Sequence, residues 1–189
     1  GQRGRQESKN KTRRDARGLR KQNQRYKMRR NFVQHLIETI LIREPIKESF
    51  FKTDPYQNRS NALHQQITIN EFARALFHLN QRRGFQSNRK VDGDNEKSKI
   101  FETKGEMVGI NDTEKSIISG GFLTLGEYLN SLNPHEIRRR SRYTKRSMYK
   151  EEFNILWDRQ SQYHKELLTE QLKEKFYNAI FFQRKLKSQ

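Results

Sequence analysis

Residues 8–42 read SKNKTRRDARGLRKQNQRYKMRRNFVQHLIETILI, with no proline and one glycine, Gly18. Arg, Lys, Gln, Met and Leu are good helix formers. The stretch therefore predicts one helix of about thirty-five residues, roughly 50 Å long at 1.5 Å per residue. Arg13, Arg17, Arg20 and Lys27 fall along one side at helical spacing; Arg14, Gly18, Lys21 and Arg25 fall along an adjacent side. No broad apolar face precedes Met28, so the shaft is not a surface helix packed on its own core. Like charges at these spacings repel, and the isolated helix calls for a dense anion against it. Phe32, Leu36 and Ile40, with Val33, Ile37 and Leu41 beside them, give its end a packing surface.

The chain has 189 residues, enough for one domain or two small ones. Lys and Arg number 40 against 22 Asp and Glu, a formal net charge of +18, and the pI is about 10.3. The excess is concentrated rather than spread, which points to a nucleic acid partner. Hydrophobic residues make up 31%, low for a self-sufficient globule, while aromatics at 11% are not low. That combination implies small cores joined by polar surfaces that something else covers. Without cysteine, disulfides and thiolate metal sites are excluded. No apolar run approaches the roughly 20 residues of a spanning helix, and no signal-peptide pattern opens the chain. No membrane partner is expected, and a cytoplasmic setting fits best.

Gly1–Glu7 is a short lead without a start methionine, expected of an excised piece. Ser8 or Asn10 is placed to cap the long helix, and Glu44 before Pro45 is pushed out of helical geometry. Thr53-Asp54-Pro55-Tyr56 reads as a turn, and 61–64 as a helical turn. Thr68 and Glu71 form a capping box opening a helix to about Arg83. Phe72, Leu76 and Leu79 share its buried face, and Arg74, His78 and Arg82 fall on another. Gly84 suits its end. Acidic, basic and small polar residues predict a mobile insertion over about 91–110. A weak helix then runs to about Gly121, from Lys104 or from a start near Asn111 or Asp112. A second capping box, Thr124 with Glu127, opens a short helix to near Leu132. A basic loop over 137–145 precedes a helix from about Met148 to Tyr163, with Tyr149, Phe153, Leu156 and Trp157 on one face. Thr169 and Glu170 introduce a last helix with Leu172, Phe176 and Ile180 at core spacing. No stretch alternates like a strand. The fold class is all-α: one long arginine-rich helix, residues 1–43, then a small helical domain with loops, residues 44–189.

Candidate catalytic residues are none. The five histidines, His35, His64, His78, His135 and His164, form no i, i+3 or i+4 pair and no metal-ligand motif. Glu151–Glu152 and Asp92/Asp94 are local acidic pairs, whereas a two-metal nuclease needs several converging carboxylates. There is no phosphate-cradling GxxxxGK[ST] loop and no nucleophile elbow. Metal-ligating residues are likewise none.

Binding chemistry is better represented. Arginine's planar fork meets two phosphate oxygens or stacks on a base, and the helix repeats it on neighbouring faces. Gly18 has two readings: a tolerated helix glycine costing about 1 kcal/mol, or a gap admitting a sugar–phosphate backbone. Arg82-Arg83-Gly84-Phe85 combines paired charge, open backbone and a ring, suited to RNA phosphate and base stacking; a basic helix C-terminus favoured by the macrodipole is the alternative. Arg142, Tyr143, Arg146 and Tyr149 offer the same choice, and Trp157 reads as core.

These motifs coincide with a known family. Ser8-Lys9-Asn10, Arg13-Arg14, Arg17 and Arg20, continuing into Arg29-Arg30, resemble the bridge helix of the type II CRISPR RNA-guided DNA endonucleases. Residues 75–90, ALFHLNQRRGFQSNRK, resemble the segment opening their recognition lobe. Thr124-Leu125-Gly126-Glu127-Tyr128-Leu129, then Arg142–Tyr149 with Glu152-Phe153 and Trp157, then Phe181-Phe182-Gln183-Arg184, are similar to the landmarks that follow. The compact spacing looks most like the type II-C branch. An arginine-rich helix alone would say little; five landmarks in order say more.

The resemblance implies a bridge helix gripping the seed of the guide, and recognition helices holding the repeat:anti-repeat duplex and the guide–target heteroduplex through backbone and shape. It adds Lys9, Asn10, Arg29, Arg30, Asn88, Arg89 and Lys90 to the RNA-contacting residues. The implied partners are guide RNA (crRNA/tracrRNA) and target DNA; charge complementarity also admits an acidic phage anti-CRISPR protein on the bridge helix. By the same resemblance, this stretch is expected to lack the RuvC strand with its metal-binding Asp, the HNH domain and the PAM-reading domain. The parent is thus expected to be a Mg²⁺-dependent nuclease, and this segment to bind without cofactor and without cutting. Gln22, Asn23 and Gln24 interrupt the basic run where many relatives keep arginine. The alternatives are a structural RNA-binding protein of ribosomal type and a self-contained nuclease.

Overall fold

The computed structural model describes residues 9–84, 104–139 and 142–182, and every regular element among them is helical. The long helix is present as α1, Lys9–Leu36, closed by a π-helical turn, Ile37–Leu41. The widening has local causes. Thr39 Oγ1 donates to the His35 carbonyl at 2.7 Å, competing with the helix's own bond there. Ile42 N–H reaches back to the Ile37 carbonyl at 3.0 Å, the i→i+5 bond of a π-turn. Arg43 then takes a left-handed φ of 54° before Pro45, so the chain leaves at a sharp angle. Glu38 holds that exit, accepting from Ile46 N–H and Gln34 Nε2, both at 3.0 Å. The packed face of the helix end is Val33, Leu36, Ile37 and Leu41; Phe32, expected beside them, is 49% exposed.

After α2, Glu48–Lys52, comes α3, Pro55–His64. The expected turn at 53–56 is instead the start of this helix. Asp54 Oδ1 accepts from Tyr56 N–H at 2.8 Å as the N-cap, and Pro55 takes the first position, where its missing N–H is no loss. Next, α4, Ile69–Gln81, begins with the capping box, Thr68 and Glu71 satisfying each other's backbone N–H groups. Every residue from Phe72 to Asn80 is buried. The predicted amphipathic helix is therefore enclosed on all sides, and Arg74 and His78 lie inside the protein.

The weak helix expected to run to about Gly121 is α5, Lys104–Ser119, and it starts within the stretch assigned to the insertion. The remainder of that insertion, residues 91–103, lies outside the described residues. In α6, Leu125–Ser131, Thr124 caps Glu127 N–H, but the Glu127 carboxylate accepts from Leu123 N–H at 2.7 Å and pairs with His64 at 2.6 Å, so the box is not reciprocal. Helices α7, Arg146–Ser161, and α8, Glu170–Phe181, complete the body. Trp157 sits in the core as expected, its ring 5.6–5.8 Å from those of Phe72, Phe153 and Phe176. Gln160 fastens α7 to the segment after α3: its amide donates to the carbonyls of Ala62 and Gln65 at 2.7 and 2.8 Å and accepts from Ile67 N–H at 3.2 Å.

Candidate nucleic-acid interface

All of α1 from Asn10 to Met28 is exposed, on every side. Between Lys9 and Met28 nine Lys and Arg residues stand against one acid, Asp15. Asn10, Arg13, Arg14, Arg17, Arg20, Lys21 and Arg25 thus present their side chains outward; Lys9 belongs to the helix, with its side chain outside the described set. A Cβ at Gly18 would meet nothing within 4 Å, so the body does not require glycine there. The arginines expected in line with Gly18 remain open to a ligand.

At the foot of the shaft α1 reaches the body. Arg29 Nε donates to Asn80 Oδ1 of α4 at 3.0 Å, and the Arg30 guanidinium lies 5.7 Å from the Phe77 ring centre. Beyond Asn80 the chain passes Arg82 and Arg83 to Gly84. Arg83 Nη1 donates to the carbonyls of Ile180 and Phe182 at 3.2 and 2.8 Å, meeting the negative end of α8. Gly84 has φ +70°, and a Cβ there would lie 2.6 Å from the Lys145 carbonyl carbon and oxygen. Its backbone is therefore pressed against the start of α7, a closeness that glycine permits. Arg146 Nη2 donates to the Gly84 carbonyl at 3.4 Å.

These approaches enclose a cavity of about 300 Å³ lined by Arg82, Arg83, Arg139, Arg142 and Arg146, with Tyr56 and Tyr149 in its wall and no carboxylate in its lining. Its lining is cationic, with Asp54 3.5 Å from Arg139 behind it. Burial, then repulsion from Arg29 and Arg146, pushes the Arg83 guanidinium down to about 10. Burial and Arg29 lower Arg146, and burial lowers Arg29 against a small opposing pull from Tyr26. Such a site gains from any anion that supplies acceptors.

The sequence candidates are distributed as follows. Arg29, Arg82, Arg83, Gly84, Arg142 and Arg146 converge at or beside the cavity. Tyr149 is 4% exposed; its ring lies against the Arg59 guanidinium at 5.6 Å, and it serves the wall more than an open face. Tyr143 is 49% exposed and covers α5, where a Cβ on Gly109 would collide with its ring. Phe85, Asn88, Arg89 and Lys90 lie outside the described residues. Sequence reasoning missed Arg139, whose guanidinium stacks on Tyr56 at 4.7 Å and hydrogen-bonds the Asn130 and Leu132 carbonyls at 3.4 Å. Its place in a basic run hid it, because nothing in the sequence couples position 139 to Tyr56. Among the described residues no group of three or more His, Asp and Glu could hold a metal ion, and no helix is long and apolar enough to cross a membrane.

No protein-family model matches the sequence, and no curated protein matches it. Solved structures do match. Campylobacter jejuni Cas9, in complex with sgRNA and target DNA, superposes with a TM-score of 0.74 at 22% identity over 97% of this chain and 26% of that one. St1Cas9, in a dimeric assembly with sgRNA, tDNA20 and AcrIIA6, gives 0.62 at 22% identity over 96% of this chain and 22% of that one. The chain spans about a quarter of the length of these neighbours. It has, over nearly its whole length, the fold of a segment of the Cas9 proteins.

Proposed function

We propose that this chain is the bridge-helix and recognition-lobe segment of a type II, II-C-like CRISPR RNA-guided DNA endonuclease, and that it holds guide RNA. One observation carries the reading: a fully exposed cationic shaft runs into a cavity lined by five arginines and no acid. The shaft tracks a phosphate backbone, and the cavity takes phosphates where the strand reaches the body. Base pairing then reads sequence while the protein reads backbone and shape. Residues 1–43 form the bridge and 44–189 the recognition-lobe part. Cleavage, and the Mg²⁺ it needs, belong to the RuvC and HNH parts of the parent; the bacterial cytoplasm is where such a parent acts. Target DNA is the second partner, reached through the guide. An acidic anti-CRISPR protein suits the same shaft by charge.

The test is a gel-shift titration of the chain with a repeat:anti-repeat hairpin RNA, followed by incubation with plasmid DNA and Mg²⁺. Binding that weakens steeply with salt, with the DNA left intact, is the expected result. DNA cleavage by the purified chain would overturn the assignment of this segment as a binding module.

A further inference from the structure

Arg74, midway along α4, is 8% exposed, and its Nε and Nη1 make no hydrogen bond within the described residues. Its guanidinium lies 5.9 Å from the Phe50 ring centre and 5.7 Å from that of Phe51. Asp54 is the carboxylate that acts on it, but Asp54 already caps α3 and pairs with Arg139 at 3.5 Å. Burial accordingly lowers the Arg74 pKa despite Asp54. Idle donors on an enclosed cation cost free energy; packing alone is better served by an apolar side chain.

A second observation lies beside it. The Phe51 ring is 41% exposed, yet it is held edge-on by Phe50 at 5.3 Å and by Phe77 at 5.7 Å. An exposed ring held in one orientation is a stacking platform whose ordering is already complete. A third observation joins the platform to α1: Arg30 lies over the same Phe77 ring. A ring with one guanidinium against it and a second on the neighbouring Phe77 suits a nucleotide, base on the ring and phosphate near the cations. An acidic peptide would use the charge but has no π-face for Phe51.

We propose that the exposed Phe51 ring, backed by the enclosed Arg74 guanidinium and with Arg30 on the neighbouring Phe77, binds one unpaired nucleotide of an RNA strand leaving the foot of α1. This site is separate from the arginine cavity and rests on the RNA-binding reading above.

The experiment is fluorescence anisotropy of the full chain with two fluorescein-labelled RNAs: a blunt hairpin, and the same hairpin with a single-stranded adenosine overhang. Phe51→Ala lowers affinity for the overhang RNA roughly five- to tenfold, as expected for one lost stack, and leaves the blunt hairpin within about twofold. Phe51→Tyr retains overhang affinity, and Arg74→Gln reduces the salt slope on that RNA by about one. Equal loss on both RNAs, or no loss on either, overturns this inference while leaving the RNA reading intact. Failure of the unmodified chain to bind either RNA overturns both. Competition by poly-L-glutamate that disappears in Phe51→Ala would assign the surface to an acidic protein and overturn the nucleotide proposal.

Discussion

Arg59 and Glu152, 93 positions apart, meet in a two-pronged ion pair with neither side chain exposed: Nε to Oε1 and Nη2 to Oε2 are both 2.6 Å. Burial alone would lower the Arg59 pKa, but Glu152 outweighs it and raises it. Glu152 also accepts from Gly126 N–H at 2.9 Å, and Arg59 Nη1 lies 3.2 Å from His78 Nδ1. One pair thus ties α3, α4, α6 and α7 together. Removing one partner strands a buried charge. Glu152→Ala is expected to cost about 3–5 kcal/mol in urea unfolding, and the apolar pair Arg59→Met with Glu152→Leu clearly less. The comparison of single and double variants checks it.

Two glycines should respond in opposite directions. Gly84→Ala forces a Cβ onto the Lys145 backbone at left-handed φ and is expected to cost 1 kcal/mol at the least, roughly 1–3 from the strained φ alone. Gly18→Ala meets open space and is expected to stabilise the shaft by about 1 kcal/mol, read as added helicity by circular dichroism. If RNA backbone approaches at Gly18, the same change lowers RNA affinity.

Glu38 should shape the acid limb of stability. The Ile46 N–H, and then the Gln34 amide, hold its carboxyl below the ordinary value of 4.5. A depressed folded pKa means its contribution is full above the ordinary carboxylate range and lost as pH falls through the folded value. Glu38→Gln is expected to flatten the stability–pH curve in that acidic window and leave its neutral plateau sloped as before. An unchanged acid limb would contradict this.

The long helix, the three Thr-led helix starts at Thr68, Thr124 and Thr169, the Gly84 stop and the Trp157 core were legible because each rests on local spacing or capping chemistry. Asp54-Pro55 was misread because an Asp-Pro pair serves a turn and a helix start equally well; what decides is the packing of Tyr56 on His78, 4.7 Å apart. Arg74 and His78 looked like a polar face because sequence does not show that α2 and α3 cover it. For the candidate site, Arg83 and Arg146 were visible as charge beside turn residues. Their convergence with Arg29 depends on how α1, α4 and α7 cross, which no local pattern encodes.

The most direct test of the account compares two sets of basic residues, four arginines and three lysines, in RNA binding. Arg13, Arg14, Arg17 and Arg20, replaced together by Ala, are set against Lys97, Lys99 and Lys104, also replaced by Ala, with affinity for the repeat:anti-repeat hairpin measured across a salt series. The account predicts a loss of more than tenfold, and a shallower salt slope, for the α1 arginine set, with the lysine set close to the unmodified chain. Equal losses from both sets would contradict it, since binding would then follow bulk charge rather than the built surface of α1.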